Sequence, residues 1–207
     1  MKTKPPLPPR ERILAAASDL FYNEGIRATG VEAIAARAET TKMGLYRNFQ
    51  SKDALVVEWL RQVAAEYWAV FDAIEVDNEG NPHAQILGWA TFFAKETTKG
   101  SHRGCPFINS VAELPDQASP GRRLIEEHKK RQLQRLAQLC KAAGLEEPED
   151  TASEIMFVLE GAQVAAQNQS ISDIGGRLTR IIDAIIRRQG HEPQRGKGLR
   201  SVGARRH

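Results

Sequence analysis

Between Thr40 and Leu55 the chain reads TTKMGLYRNFQSKDAL, with lysine, arginine and tyrosine interleaved among leucine and phenylalanine. Cationic side chains neutralise phosphates and hydroxyls donate to phosphate oxygens, so this mixture suits contact with a nucleic-acid backbone. Leu45 and Phe49 lie four apart and can anchor one short helix on a core. That leaves Lys42, Met43, Gly44, Tyr46, Arg47 and Asn48 on the outer side, with Gly44 letting the backbone come near a groove wall. Enzyme chemistry finds no footing. H-E-x-x-H, C-x-x-C, G-x-S-x-G and G-x-x-x-x-G-K are all missing from the sequence, and no nucleophile is paired with a base. The five histidines are scattered, and His128, in a charged stretch, is expected on a solvated face. Neither a metal nor a cofactor is expected.

The basic cluster needs elements to hold it. Pro9 suits a first helical turn. Ile13, Leu14, Ala17, Leu20 and Phe21 then recur at helical spacing up to Gly25, a residue suited to the position after a helix. Thr29 followed by Glu32 reads as a capping box for a two-turn helix bearing Val31, Ile34, Ala35 and Ala38. Thr41 is the expected N-cap of a helix over 42–48. Ser51 is expected to cap a long helix with Leu55, Val56, Trp59, Leu60 and Val63 on its buried side. Two short helices joined by a tight turn and buttressed by a third form a helix-turn-helix. Such turns often hold glycine; here Glu39 follows Ala38, and a positive φ would strain it.

The rest also reads helical: from Pro82 to about Thr98, a break at KGSHRG, a short helix CPFINSVAEL stopped by Pro115, and a long charged helix from Ser119-Pro120 to Gly144. PEDTASEIMFVLEGAQVAAQN and ISDIGGRLTRIIDAIIRRQ follow. No stretch alternates with period two, so the chain is expected to be all-α with about nine helices. The organisation expected is a DNA-binding unit over 10–55, a second unit over 56–189 and a basic, disordered tail over 190–207.

Of the 207 residues, 1–60 carry nine Lys/Arg against seven Asp/Glu, 61–186 carry thirteen against eighteen, and 187–207 carry seven against one. Basic ends around an acidic middle suit an anionic partner. Two cysteines, Cys105 and Cys140, suit a reducing compartment. No apolar run approaches the ~18 residues of a spanning helix, and the N-terminus lacks an apolar signal region. A cytoplasmic protein without membrane association is expected.

The segment RERILAAASDLFYNEGIRATGVEAIAARAETTKMGLYRNFQSKDAL resembles the DNA-binding domain of the TetR/AcrR family of bacterial repressors. The resemblance rests on LF…EG…AT-x-V-E-x-IA-x-RA and then K-x-x-LYR-x-F-x-SK-x-AL. It implies that Thr41, Lys42, Met43, Gly44 and Asn48 sit at base edges or the groove floor. Tyr46, Thr29 and Lys52 would grip phosphate, Gly30 would stand beside them, and Arg47 would do either. Glu39 departs from the family's usual glycine and Met43 from a usual small residue; Met43 suits a thymine methyl. The implied partners are a double-stranded operator, a small-molecule effector and a second copy of the chain. Two-fold operators need recognition helices about one DNA turn apart (~34–36 Å).

In this family the second domain is helical, binds effector and dimerises. HRGCPFINSVAEL resembles a subgroup in which a Gly-Cys pair opens a pocket-lining helix. Candidate pocket residues are Tyr67, Trp68, Phe71, Trp89, Phe93, Cys105 and Phe107, with His102 and Asn109 as polar groups. Cys105, beside His102 and Arg103 at a helix start, is either a small buried residue or a redox and electrophile sensor. Val158, Gly161, Ala162 and Ala165, with Ile174, Leu178, Ile181 and Ile185, are expected to form a four-helix dimer interface. A non-specific architectural DNA binder is the remaining alternative.

Overall fold

The computed structural model describes residues 7–99 and 103–189. The expectations for His102 and for the tail lie outside them. Among the described residues there are nine helices and no strand: α1 Pro9–Glu24, α2 Val31–Arg37, α3 Lys42–Asn48, α4 Lys52–Asp77, α5 Pro82–Thr97, α6 Pro106–Glu113, α7 Pro120–Ala142, α8 Pro148–Gln167 and α9 Ile174–Gln189. No helix among these residues is long and apolar enough to cross a membrane.

Local chemistry sets most helix ends. Proline begins α1, α5, α6, α7 and α8, where its missing N–H costs no hydrogen bond. Thr41, Ser51, Asn81 and Ser119 each accept a hydrogen bond from the backbone N–H three residues on. The capping box at Thr29 is not made. Gly30 occupies the N-cap of α2, and the Thr29 hydroxyl turns inward to donate to the Gly25 carbonyl at 2.7 Å. Gly25, at φ +96°, lets the chain leave α1.

Two cores share one helix. The first gathers Ile13, Ala17, Leu20 and Phe21 of α1, Ile34 of α2, Leu45 of α3, and Leu55, Val56, Trp59 and Leu60 of α4. Cys105, Phe107 and Ile125 extend it beyond the three-helix unit. The second gathers Phe71 of α4 with Ile86, Trp89 and Phe93 of α5, Leu136 of α7, Ile155 and Leu159 of α8, and Leu178, Ile182 and Ile186 of α9. The boundary expected at residue 55 thus falls inside α4, and the first core runs past it to Leu60. Phe71 and Trp89 stack at 3.9 Å, both fully buried.

His128 contradicts the sequence expectation. It is buried, not solvated, because Ile125, His128, Gln132 and Leu136 recur at helical spacing on the inward face of α7. Its ring stacks on Phe107 at 4.1 Å and meets Trp68 at 5.3 Å. Burial, helped by the neighbouring Lys129 and Arg131 charges, pushes its pKa down to about 4.

The turn between α2 and α3 closes as a Schellman motif. Thr40 N–H donates to the Ala35 carbonyl and Glu39 N–H to that of Ala36. Glu39 therefore carries φ +51°, a left-handed conformation that glycine adopts freely and glutamate does not.

Two stability experiments follow from these sites. Glu39→Gly removes the left-handed strain and loses only a 3.7 Å pair to Arg12 made by an exposed carboxylate. It should raise stability by about 0.5–1 kcal/mol in urea unfolding; a decrease would show that the turn is unstrained. For His128, the folded pKa lies below the unfolded value, so the unfolded chain takes up the proton first. Stability is intact above the unfolded value and falls as pH drops from about 6.5 towards 4. Between pH 7 and 5 wild type should lose about 1–2 kcal/mol more than His128→Phe, a figure discounted because one edge of the ring borders solvent. Parallel losses in the two proteins would refute this account.

Candidate functional site

Thr41 starts α3 by accepting from the Gly44 N–H at 3.0 Å, and Leu45 and Phe49 are buried in the first core as their spacing required. Four other side chains of this short helix face solvent: Lys42, Met43, Tyr46 and Arg47. Met43 is 66% exposed. The Arg47 guanidinium lies along it, 3.6 Å from its sulfur. Lys52, partly buried, opens α4, where backbone N–H groups already favour an anion.

Three of the expected contact residues are placed differently. Thr29 is only 1% exposed and its hydroxyl is engaged by Gly25, so it stands behind the exposed Gly30 instead of beside it. Asn48 is partly buried and its amide donates to the Gly44 carbonyl at 2.8 Å, which ties it to its own helix. Gly44 is needed first for packing: a Cβ there would lie 2.3 Å from the Thr40 hydroxyl. Ala35 is buried, as close approach of α2 and α3 requires.

Charge on this face is partly cancelled. Lys42 Nζ donates to Glu32 across the turn at 2.7 Å. That hydrogen bond holds the Glu32 carboxyl below, and the Lys42 ammonium above, their ordinary pKa values. Glu32, read in the sequence as the partner of Thr29 in a capping box, instead pairs with Lys42. Arg47 has no carboxylate partner among the described residues.

Four of the aromatic residues proposed for a pocket, Phe71, Trp89, Phe93 and Phe107, form packed core instead of an open cavity. Phe71, Trp89, Phe93 and Phe107 are at most 2% exposed, and Tyr67 touches Phe71, Phe92, Phe93 and Phe107 edge-on or tilted. Tyr67, partly buried, has its pKa raised, by desolvation first. Trp68 is partly buried, and Arg131 lies over its ring at 4.3 Å. Asn109 donates to the Arg103 carbonyl, holding the entry to α6. Cys105 is the N-cap of α6 and 2% exposed, inside the first core; Cys140 is fully buried, which lifts its thiol to about 11. Among the described residues no group of side chains could hold a metal ion.

α6 is tied to the headpiece at both ends. The Tyr22 hydroxyl accepts from Arg103 N–H at 2.9 Å and donates to the Gly104 carbonyl. Glu113 accepts from Arg27 N–H at 2.7 Å, and its carbonyl accepts from the Arg27 guanidinium.

Of the residues expected at a dimer interface, Leu178 and Ile185 are buried in the chain's own core. Val158 and Ala162 also pack against that core, and Ala165 and Ile174 are partly buried. Gly161 and Ile181 are exposed, and a Cβ at Gly161 would meet open space. Phe157, 76% exposed, was not anticipated, although it falls four residues before Gly161 and seven before the exposed Val164 on one face of α8.

The family model for bacterial regulatory proteins of the tetR family matches residues 13–59. The HTH-type transcriptional regulator YjdC of Escherichia coli K12 is 24% identical over 185 residues, covering 87% of this chain and 97% of its own. The HTH-type transcriptional repressor NemR of the same organism is 28% identical over 108 residues, covering 52% and 54%. A TetR-family transcriptional regulator from Streptomyces coelicolor superposes with a TM-score of 0.83 at 26% identity, covering 88% of this chain and 96% of that one.

The Glu32–Lys42 pair yields a measurable consequence. Glu32→Gln frees Lys42 and removes a negative charge from the exposed face. Binding to a mixed-sequence DNA duplex should tighten severalfold at low salt, with a steeper salt dependence by about one released ion. An unchanged affinity and slope would take Lys42 out of the interface.

Proposed function

We propose, from the premise that this chain belongs to the TetR family of bacterial regulatory proteins, that it is a homodimeric repressor released from a two-fold operator by a small-molecule effector. It is a DNA-binding transcriptional regulator and not an enzyme. The observation that carries the DNA contact is the face of α3. Thr41 caps it, Leu45 and Phe49 clamp it, and Lys42, Met43, Tyr46 and Arg47 project to solvent. Lysine, arginine and the tyrosine hydroxyl address phosphates, and the N-terminal residues of such a helix reach base edges. Met43, unpolar and exposed, suits a thymine methyl.

The exposed stripe Phe157, Gly161 and Val164 on α8, with Ile181 on α9, supports pairing with a second copy. Absence of side-chain bulk at Gly161 lets a partner helix approach closely there. Effector control is a population shift: the effector favours a state whose two recognition helices are wrongly spaced for adjacent grooves. Only differential affinity for the two states can do this, so the coupling is about 1–3 kcal/mol.

Selection of bound duplexes from a random pool tests the whole reading. It should return an inverted repeat with half-sites about one helical turn apart. Phe157→Arg should yield a monomer by sedimentation and lose that repeat, while Tyr46→Ala should weaken every recovered sequence alike. An unenriched pool would instead favour an architectural binder, and a single unrepeated half-site would end the dimer proposal.

A further inference from the structure

An open cleft of about 340 Å³ lies between α4 and α7, with no residue of α3 in its lining. Ala64, Ala65 and Trp68 of α4 form one wall; Leu124 and His128 of α7 form the other. Arg61, Glu127 and Arg131 line it as well. The volume is near the lower end for small-molecule sites, room for one or two fused rings.

His128 is the chemically unsettled group here. It is 5% exposed, and neither ring nitrogen has a hydrogen-bond partner among the described residues. Phe107 stacks on the ring and Trp68 and Tyr67 approach it, so these aromatic neighbours surround it without satisfying it. A buried polar group normally finds a partner, and His128 lines the cleft, so a small turn of its ring would bring a nitrogen to it.

The charges around the cleft are not all matched. Arg61 reaches Glu58 at 3.6 Å, and Arg135, just beyond, is held by Asp72 and Glu75 at 2.6 and 2.8 Å. Arg131 has no carboxylate partner among the described residues; its guanidinium rests on the Trp68 ring. A cation over a partly exposed ring is held only modestly. A carboxylate would hold the same guanidinium by two charge-assisted hydrogen bonds and free the Trp68 face for an aromatic ring.

We propose that this cleft binds the effector, and that the effector is a small aromatic carboxylate with a hydrogen-bonding ring substituent. The carboxylate pairs with Arg131, the ring lies against Trp68, Ala64 and Ala65, and the substituent meets His128. The assignment rests on the reading of the chain as an effector-released regulator. The cleft is also well placed for that task, because the α4 segment that walls it continues directly from Trp59 and Leu60 in the headpiece core.

Calorimetric titration of the DNA-free, full-length protein with 1-hydroxy-2-naphthoate tests the site. Binding should be saturable, and the corresponding amide, which lacks the charge, should bind at least about tenfold more weakly. Arg131→Gln should abolish that preference. His128→Phe should keep the aromatic packing but abolish the preference for the hydroxylated acid over 2-naphthoate. No saturable binding below about 1 mM, or binding indifferent to Arg131→Gln, overturns the site. The same acid should release wild-type protein from its selected duplex and leave Arg131→Gln bound. Binding without release overturns the effector assignment while leaving DNA recognition, measured without ligand, intact.

Discussion

The structure depends on α4 remaining one unbroken helix. Its 26 residues span about 39 Å at 1.5 Å per residue. The first third, with Leu55, Val56, Trp59 and Leu60, is core of the DNA-binding unit; Phe71, three turns on, is core of the second. A continuous helix cannot satisfy both cores and also bend freely between them, since interiors are close-packed and resist deformation. Any displacement of α4 against α5 or α7 therefore moves the headpiece as a body. Tyr67, packed against both cores, sits where the two meet.

The headpiece has further restraints, and they are polar. Tyr22 grips the chain just before α6, and Arg27 grips Glu113 at its end. Arg10 reaches Glu58 on α4 at 2.9 Å and lies over Phe49. The one ion pair among these, Arg10–Glu58, is weak and screened by salt; the ties at α6 are hydrogen bonds. Apolar packing on α4, and at α6 through Cys105 and Phe107, holds the headpiece, and the polar ties at α6 add to it. Such a division suits a switch, because weak ties can be exchanged while the core stays intact.

Much of this was legible in the chain because short-range chemistry dominates helix ends. Pro9, Pro82, Pro106, Pro120 and Pro148, with Thr41, Ser51 and Ser119, mark starts within one residue of those observed. The left-handed conformation of Glu39 was foreseeable for the same reason: a turn that tight admits few backbone paths. Errors arose where one local pattern had two uses. Thr29 has the spacing of a capping residue, yet Gly30 takes the cap and the threonine closes the preceding loop. His128 sits among charges, yet the 3-4-4 spacing of Ile125, His128, Gln132 and Leu136 was the stronger signal and turned it inward. Leu178 and Ile185 lie on an apolar face, and nothing in one chain says whether such a face meets its own core or a partner's. The aromatic cluster suffered from the same ambiguity: rings rich enough to line a cavity are also rich enough to fill it.

The meeting of α4 and α7 explains how a small insertion could reach so far. At the start of α7, Gly121 is packed so tightly that a Cβ would lie 3.1 Å from Leu114 and 3.6 Å from Leu60. This contact joins α7, the exit from α6 and the headpiece end of α4. Seven residues later, about 10 Å along the helix, His128 faces the cleft where small Ala64 and Ala65 leave the helices less filled. The cleft thus lies between the tight Gly121 contact and the rest of the α4–α7 packing. On the proposed reading, a planar molecule entering the cleft would act against the Gly121 contact, and a displacement there would pass to Leu60 and Trp59. Further along, the Arg135 bridge to Asp72 and Glu75 resists separation of α4 from α7 on the far side of the cleft. Restrained at both ends, α4 yields most readily by tilting, and tilting of a helix that carries the headpiece changes where α3 points.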